Sequence, residues 1–360
     1  MSNSKKNKSK HYNGASNALV PYNSARRNLP EVPDPATLET LPISYQEVYD
    51  YFKQFSVAKP FILRRETMSR IEKATGRPLI CYVTKIYDVG HNVPARIDDD
   101  DVVAFADLCD SVPEGKQIDI FLTCNGGSAE ATARIVGLLR SRFDSIRYIL
   151  PSNAFSAATL LCFSGDEIIM DAPASLGPID PQINGVPARA ILRGFEEVEK
   201  KLKAEGPSSM SAYVPLLNKY DLPLLELCKS ANALSEELAK EWLARYMLKC
   251  SQDDERVTSL VKKFLDYDNL KSHGRGIDRA TAKSWGLNVV DMESVDGLKP
   301  LVRSLHNQYQ FFFSQPSRGF YKMFEDPRGN NWGRQQVMVK VADQSPFPPG
   351  SIVEPVAAPK

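Results

Sequence analysis

Histidine is scarce in this chain, with four in 360 residues, so a reaction that needs an imidazole has few candidates. Cysteine is sparse too. Cys81, Cys109, Cys124, Cys162, Cys228 and Cys250 stand far apart, with no C-x-x-C pair among them. That spacing argues against a disulfide framework and a zinc site; thiols inside apolar stretches such as ATLLCF read as buried groups in a reducing compartment. No run of about 18 uninterrupted apolar residues occurs, so no membrane span is expected. The opening MSNSKKNKSKHYNGASN lacks the apolar stretch of a secretory signal, and the expected location is cytoplasmic. A G-x-G-x-x-G loop is absent, as is any sign of a pyridoxal lysine, so no cofactor is expected, and no metal. Net charge is +1, from 45 basic and 44 acidic side chains, which creates no overall field for capturing nucleic acid or membrane.

What is present is material for a core: 42% of residues are hydrophobic and 25% charged. Residues 1–40, rich in Lys, Asn, Ser and Pro, predict a disordered basic arm, and the Pro-rich 342–360 a second unpacked tail. Residues 41–74 read as a helical lead-in. Then LICYVT (79–84), IDIFLT (118–123), IRYIL (146–150) and EIIMD (167–171) are short β-rich runs separated by helical periods. Strands alternating with helices predict an α/β fold with a parallel, helix-covered sheet. A mostly helical insert is expected from about 188 to 267, and one more helix and strand in IDRATAKSWGLNVVDM. Asp98–Asp101 open a helical period, where carboxylates meet the helix dipole and supply an N-cap.

Two segments carry chemistry. In LTCNGGSAEATARIVGLL (122–139) a strand ends, two glycines follow and a helix begins at once. Without Cβ atoms, Gly126 and Gly127 can turn backbone N–H groups toward a substrate carbonyl, which is what acyl transfer requires. In PSNAFSAATLLCFSGDEIIMD (151–171), small residues surround Ser156 and an apolar helical run follows it, with the N–H groups of Ala157 and Ala158 expected to face the same point. A lone serine there is usually a helix N-cap. Paired with the diglycine turn one strand earlier, it reads as a nucleophile.

The ordered set NGG, AFSAAT, GDEIIMD and ASLGPIDPQ resembles the serine dehydrogenase proteinase family, relatives of signal peptide peptidase A within the Clp/crotonase superfamily. The likeness spans roughly residues 75–292 and includes SHGRGIDRATAKSWGL (272–287). It implies a Clp/crotonase-type superhelical ββα core, Ser156 as nucleophile, Gly126, Gly127 and Ala157 around the oxyanion, a peptide or protein substrate, and assembly into a homo-oligomer. Asn125 stands where the family usually has Pro, and Ala157 and Ala158 replace two glycines.

The base is the open position. Clp subunits use a His after the strand that follows the serine helix, and ASLGPID has none. Signal peptide peptidases use a Lys on the next helix, where this chain has Pro187, Ala188 and Arg189, and an arginine does not deprotonate. Two candidates remain, His273 and, on the helical insert, Lys219. The alternatives to a peptidase are a catalytically silent scaffold and crotonase-like acyl-thioester chemistry. Residues 293–341 form a C-terminal extension in which aromatics alternate with Arg and Lys; this reads as aromatic-anchored packing or a subunit interface, with no nucleic acid expected.

Overall fold

The computed structural model describes residues 34–55, 60–90, 93–113, 115–206, 210–217, 222–266, 270–315 and 319–336. Residues 1–33, the 342–360 tail and Lys219 lie outside the described residues. The expected arm ends earlier than residue 40. Asp34 caps a 3-10 turn at Pro35–Thr37, and Arg70 Nη2 donates to the Leu38 carbonyl at 2.7 Å.

Helices α1 (Tyr45–Phe55) and α2 (Pro60–Thr75) lead into β1 (Leu79–Thr84). The core then alternates: α3 (Asp101–Ser111), β2 (Gln117–Thr123), α4 (Ala129–Arg142), β3 (Ser145–Leu150), β4 (Asn153–Ala154), α5 (Ala157–Phe163), β5 (Glu167–Met170) and β6 (Ser175–Leu176). A hairpin of β7 (Gln182–Ile183) and β8 (Val186–Pro187) opens the helical insert, α6 (Ala188–Glu205), α7 (Met210–Leu217), α8 (Leu222–Trp242) and α9 (Glu255–Leu265). The chain returns through β9 (Ile277–Asp278), α10 (Arg279–Trp285), β10 (Val289–Asp291), α11 (Leu298–Phe313), β11 (Phe320–Glu325) and β12 (Asn331–Gln335).

The central sheet has the order β10-β5-β3-β2-β1-β11-β12; the five strands from β10 to β1 run parallel, and β11 and β12 are antiparallel. Its inner strands are predominantly apolar because both faces are covered, and the charges that interrupt β2 and β3, Asp119 and Arg147, face each other and pair at 2.8 Å. Successive side chains point to opposite faces. Ile80, Tyr82, Ile120, Leu122, Tyr148 and Leu150 therefore face one hydrophobic cluster together with residues of α3, α4 and α5. Leu79, Cys81, Val83, Phe121 and Ile149 face the other, with Met68 and Ile71 of α2 and Leu305, Tyr309 and Phe312 of α11. The segment read as an extension thus contributes two strands to the sheet and one helix to its cover. Most of its aromatics are packing residues, as where Phe52 stacks on Phe311 with ring centroids 5.0 Å apart, while Trp332 is exposed.

Charges inside this layer are paired. Arg64 makes two hydrogen bonds to Glu325, at 2.7 and 2.6 Å, and both residues are buried. Tyr309 Oη donates to the same carboxylate at 2.7 Å. Removing one member of such a pair strands a buried charge, typically a loss of about 3–5 kcal/mol. The Asp98–Asp101 run also differs from expectation. The N-cap residue Asp100 makes no side-chain cap bond. Asp98 and Asp101 instead bind Lys322 of β11, because a buried ammonium there needs carboxylates more than the helix end needs a cap.

A second, small sheet positions the site. β4 pairs in parallel with β6, and β6 pairs with β9 in antiparallel. Ser156 follows β4 by two residues, Asp180 follows β6 by four, and His273 precedes β9 by four. Three short strands therefore bring together residues up to 117 positions apart in sequence, the span from Ser156 to His273.

Candidate active site

The ends of β2 and β4 are stapled side by side. The Cys124 N–H donates to the Asn153 carbonyl at 3.0 Å, and the Phe155 N–H to the Cys124 carbonyl at 2.9 Å. This sets the diglycine turn directly against the serine. A Cβ on Gly126 would lie 2.7 Å from Ser156 Cβ and 2.8 Å from the Phe155 carbonyl oxygen, so only glycine fits. Gly127 lies against Ile97 in a parallel bridge, and a Cβ there would overlap the Ile97 backbone.

Ser156 stands at the N-cap position of α5 but makes no side-chain cap bond. Its backbone has φ 53° and ψ −121°, a conformation that a residue with a Cβ rarely adopts. Holding it costs about 1–3 kcal/mol, and such strain persists where the surroundings enforce it and concentrates at functional sites. Here the enforcement is visible. The Ala158 N–H is held by the Phe155 carbonyl at 2.9 Å, and the Thr159 hydroxyl lies 2.7 Å from the Ala154 carbonyl and accepts the Gly177 N–H at 2.9 Å. Among the described residues the Ser156 hydroxyl has no hydrogen-bond partner.

The donors around it sort differently from the sequence expectation. The Gly126 N–H points to Cys124 Sγ at 3.3 Å, and the Gly126 carbonyl accepts the Ile97 N–H at 2.8 Å. Ala158, as above, is committed to Phe155. Among the described residues the N–H groups of Asn125, Gly127, Ser156 and Ala157 have no hydrogen-bond partner. In a parallel bridge the residue opposite the doubly bonded one turns its own polar groups away. Ile97 is the doubly bonded residue here, which leaves the Gly127 N–H outward.

A cavity of about 530 Å³ joins these groups: Gly127, Ser156, Ala157 and His273 line it, with Leu160 and Leu234 on its apolar side and no lysine among its described lining residues. His273 Nδ1 bonds Asp180 Oδ1 at 2.8 Å, and Asp180 Oδ2 accepts from Gln182 Nε2 at 2.9 Å. The Asp180 side chain is 2% exposed and that of His273 27%. A carboxylate only accepts, so Nδ1 carries the hydrogen, which in a neutral imidazole puts the lone pair on Nε2. Asp180 lies within the ASLGPIDPQ motif, yet sequence reasoning gave it no function. The available signal was an acid in that motif together with one of only four histidines in a second one.

Gly127→Ala is expected to lower turnover by about 10²–10³, the loss associated with one misplaced oxyanion donor. Gly137→Ala, on α4 with open space at the Cβ position, should leave turnover intact. The check is kcat of both variants on a fluorogenic protein substrate such as labelled casein, after far-UV circular dichroism has shown native secondary structure. Equal rates for the two variants would mean that the turn does not meet the reacting group.

A parallel-rich, helix-covered α/β sheet, with a strained serine at a helix start beside a diglycine turn, fits a ClpP-like fold. Residues 52–211 match the family of ClpP-like SDH-type serine proteinases, in agreement with the resemblance read from the four motifs. His273 lies outside the matched segment. Two uncharacterized proteins of Methanocaldococcus jannaschii are similar to this chain. MJ1495 is 31% identical over 151 residues, 42% of this chain and 45% of that one. MJ0137 is 37% identical over 87 residues, 24% of this chain and 30% of that one. The chain thus spans less than half the length of these relatives. A solved structure, that of a mutant of the 1510-N membrane-bound stomatin-specific protease, is similar at 16% identity and a TM-score of 0.32, covering 54% of this chain and 74% of that one, a likeness too distant to bear on this chain's function. No described helix is long and apolar enough to cross a membrane.

Proposed function

We propose that this chain is a serine endopeptidase in which Ser156, His273 and Asp180 act as nucleophile, base and orienting acid. The observation that carries the reading is the His273–Asp180 bond in the cavity that Ser156 lines. A serine hydroxyl is a weak nucleophile until a neighbour takes its proton, and an imidazole oriented through Nδ1 offers Nε2 for that purpose. Ser156 Oγ attacks the peptide carbonyl carbon while His273 Nε2 accepts its proton. The carbonyl oxygen, now negative, is held by the N–H groups of Gly127 and Ala157. His273 then returns the proton to the leaving amine nitrogen, the C–N bond breaks, and an ester on Ser156 remains. Water, deprotonated by His273, attacks that ester; the C–Oγ bond breaks, His273 returns the proton to Ser156 Oγ, and the acid is released. Every step uses this chain's own groups and water.

A fluorophosphonate probe tests the reading. It is expected to form a covalent phosphonyl ester on Ser156, located by peptide mass mapping. A folded protein that stays unlabelled would point instead to the silent scaffold or to acyl-thioester chemistry, neither of which requires an activated serine. Assembly into a homo-oligomer belongs to the same proposal and is read by light scattering.

A further inference from the structure

We infer that Lys322, on β11 and far from Ser156 in sequence, is the positioning residue for the oxyanion turn; the inference rests on the reading of Ser156 as nucleophile. The path runs through two sets of bonds. Ile97 clamps the turn directly, its N–H donating to the Gly126 carbonyl at 2.8 Å and its carbonyl accepting the Ser128 N–H at 3.0 Å. The next residue, Asp98, is held by Lys322 Nζ at 2.6 Å. The same ammonium binds both oxygens of Asp101, at 2.8 and 3.1 Å, and Asp101 in turn accepts the Asp98 N–H at 3.2 Å and the Tyr82 hydroxyl at 2.8 Å. Lys322 thus fixes the segment whose backbone sets the direction of the Gly127 N–H.

Magnitudes single out Lys322 among the cations that meet the four-aspartate run. Arg134 reaches Asp99 and Arg334 reaches Asp100, but these pairs are largely exposed, where an ion pair contributes little. The Lys322 side chain is 1% exposed and that of Asp101 is 0% exposed, so their geometry is held in a low-dielectric surrounding where a lost partner is costly. The strand that carries Lys322 is itself anchored: Lys322 faces Thr84 in the β1–β11 ladder, and the Lys85 N–H donates to the Tyr321 carbonyl at 2.8 Å. The aspartate run is therefore a lock on the active-site turn, closed from the far end of the chain.

Three variants test this: Lys322→Met removes the ammonium, Lys322→Arg restores a cation, and Asp98→Asn takes the charge from only the bond nearest the turn. Asp98 is 39% exposed, so Asp98→Asn carries the test if Lys322→Met does not fold. Two readouts are taken on the full chain. Hydrogen exchange of the peptide spanning residues 124–130 is expected to quicken in Lys322→Met and Asp98→Asn, with β3 and β5 unchanged and Lys322→Arg nearer wild type. Fluorophosphonate labelling of Ser156 is expected to slow about 10- to 100-fold in its maximal rate, with the probe's half-saturating concentration unchanged, because a shift of order 1 Å at a reacting group costs that much. Exchange at 124–130 equal to wild type in folded variants overturns the inference. So does faster exchange with undiminished labelling. Wild-type protein that fails to label at Ser156 sinks the nucleophile reading instead, and exchange alone then decides whether Lys322 holds the turn.

Discussion

Alanine in place of Ser156 is expected to abolish hydrolysis of labelled casein while leaving the fold intact. The hydroxyl has no hydrogen-bond partner among the described residues and makes no cap bond for α5, so its removal deletes no structural contact. Alanine keeps the Cβ that packs against Gly126, and the forced φ of 53° remains as it was. The change in stability should accordingly stay within about 0.5 kcal/mol, the range for substitutions that touch no special feature. Loss of a serine nucleophile typically lowers kcat by about 10⁶, leaving only what substrate binding and the oxyanion donors supply. The measurement is turnover beside a urea melt of each protein. Full turnover in Ser156→Ala, or a large drop in the urea midpoint, would show that the residue serves the fold or the cap rather than the reaction.

His273→Ala carries the second large effect, a fall of about 10⁶ in kcat, since nucleophile and base act as a unit and losing either removes most of the rate. Asp180→Asn should be milder, about 10⁴, because an amide at that position can donate to Nδ1 and so favours the tautomer with its hydrogen on Nε2. The order of the two losses is informative. A purely structural histidine would give a stability change and no such ranking, and added imidazole would restore nothing. Partial recovery of His273→Ala with imidazole, and none for Ser156→Ala, is the expected pattern. Turnover preserved in His273→Ala would move the base to Lys219 or to another residue.

The two variants also separate the two ways in which the proposed active site is built. Ser156 depends on local sequence: a two-residue strand, a strained turn and an apolar helix within a dozen positions. His273 depends on the small β4–β6–β9 sheet, so variants that loosen this sheet should mimic His273→Ala without touching Ser156. Gly276 is one such point, since a Cβ there would lie 2.9 Å from both Cβ and Oγ of Ser175.

The sequence by itself determined the layered α/β architecture, because mostly apolar strands alternating with helical periods pack stably as a parallel sheet covered on both faces. It also marked the diglycine turn and Ser156 as candidates, because both sit in contiguous motifs whose conformation is set within a few residues. Tertiary structure alone decided the rest. Asp180 and His273 meet across 93 positions only because β6 and β9 pair. That Gly127 keeps a free donor and Gly126 does not depends on Ile97 and Cys124 engaging Gly126, which no spacing rule encodes. Lys322 and the Asp98–Asp101 run lie more than two hundred positions apart, and read separately they are a strand residue and a helix start. They become one lock because β11 returns antiparallel beside β1, where a buried ammonium has to find its carboxylates wherever the fold places them.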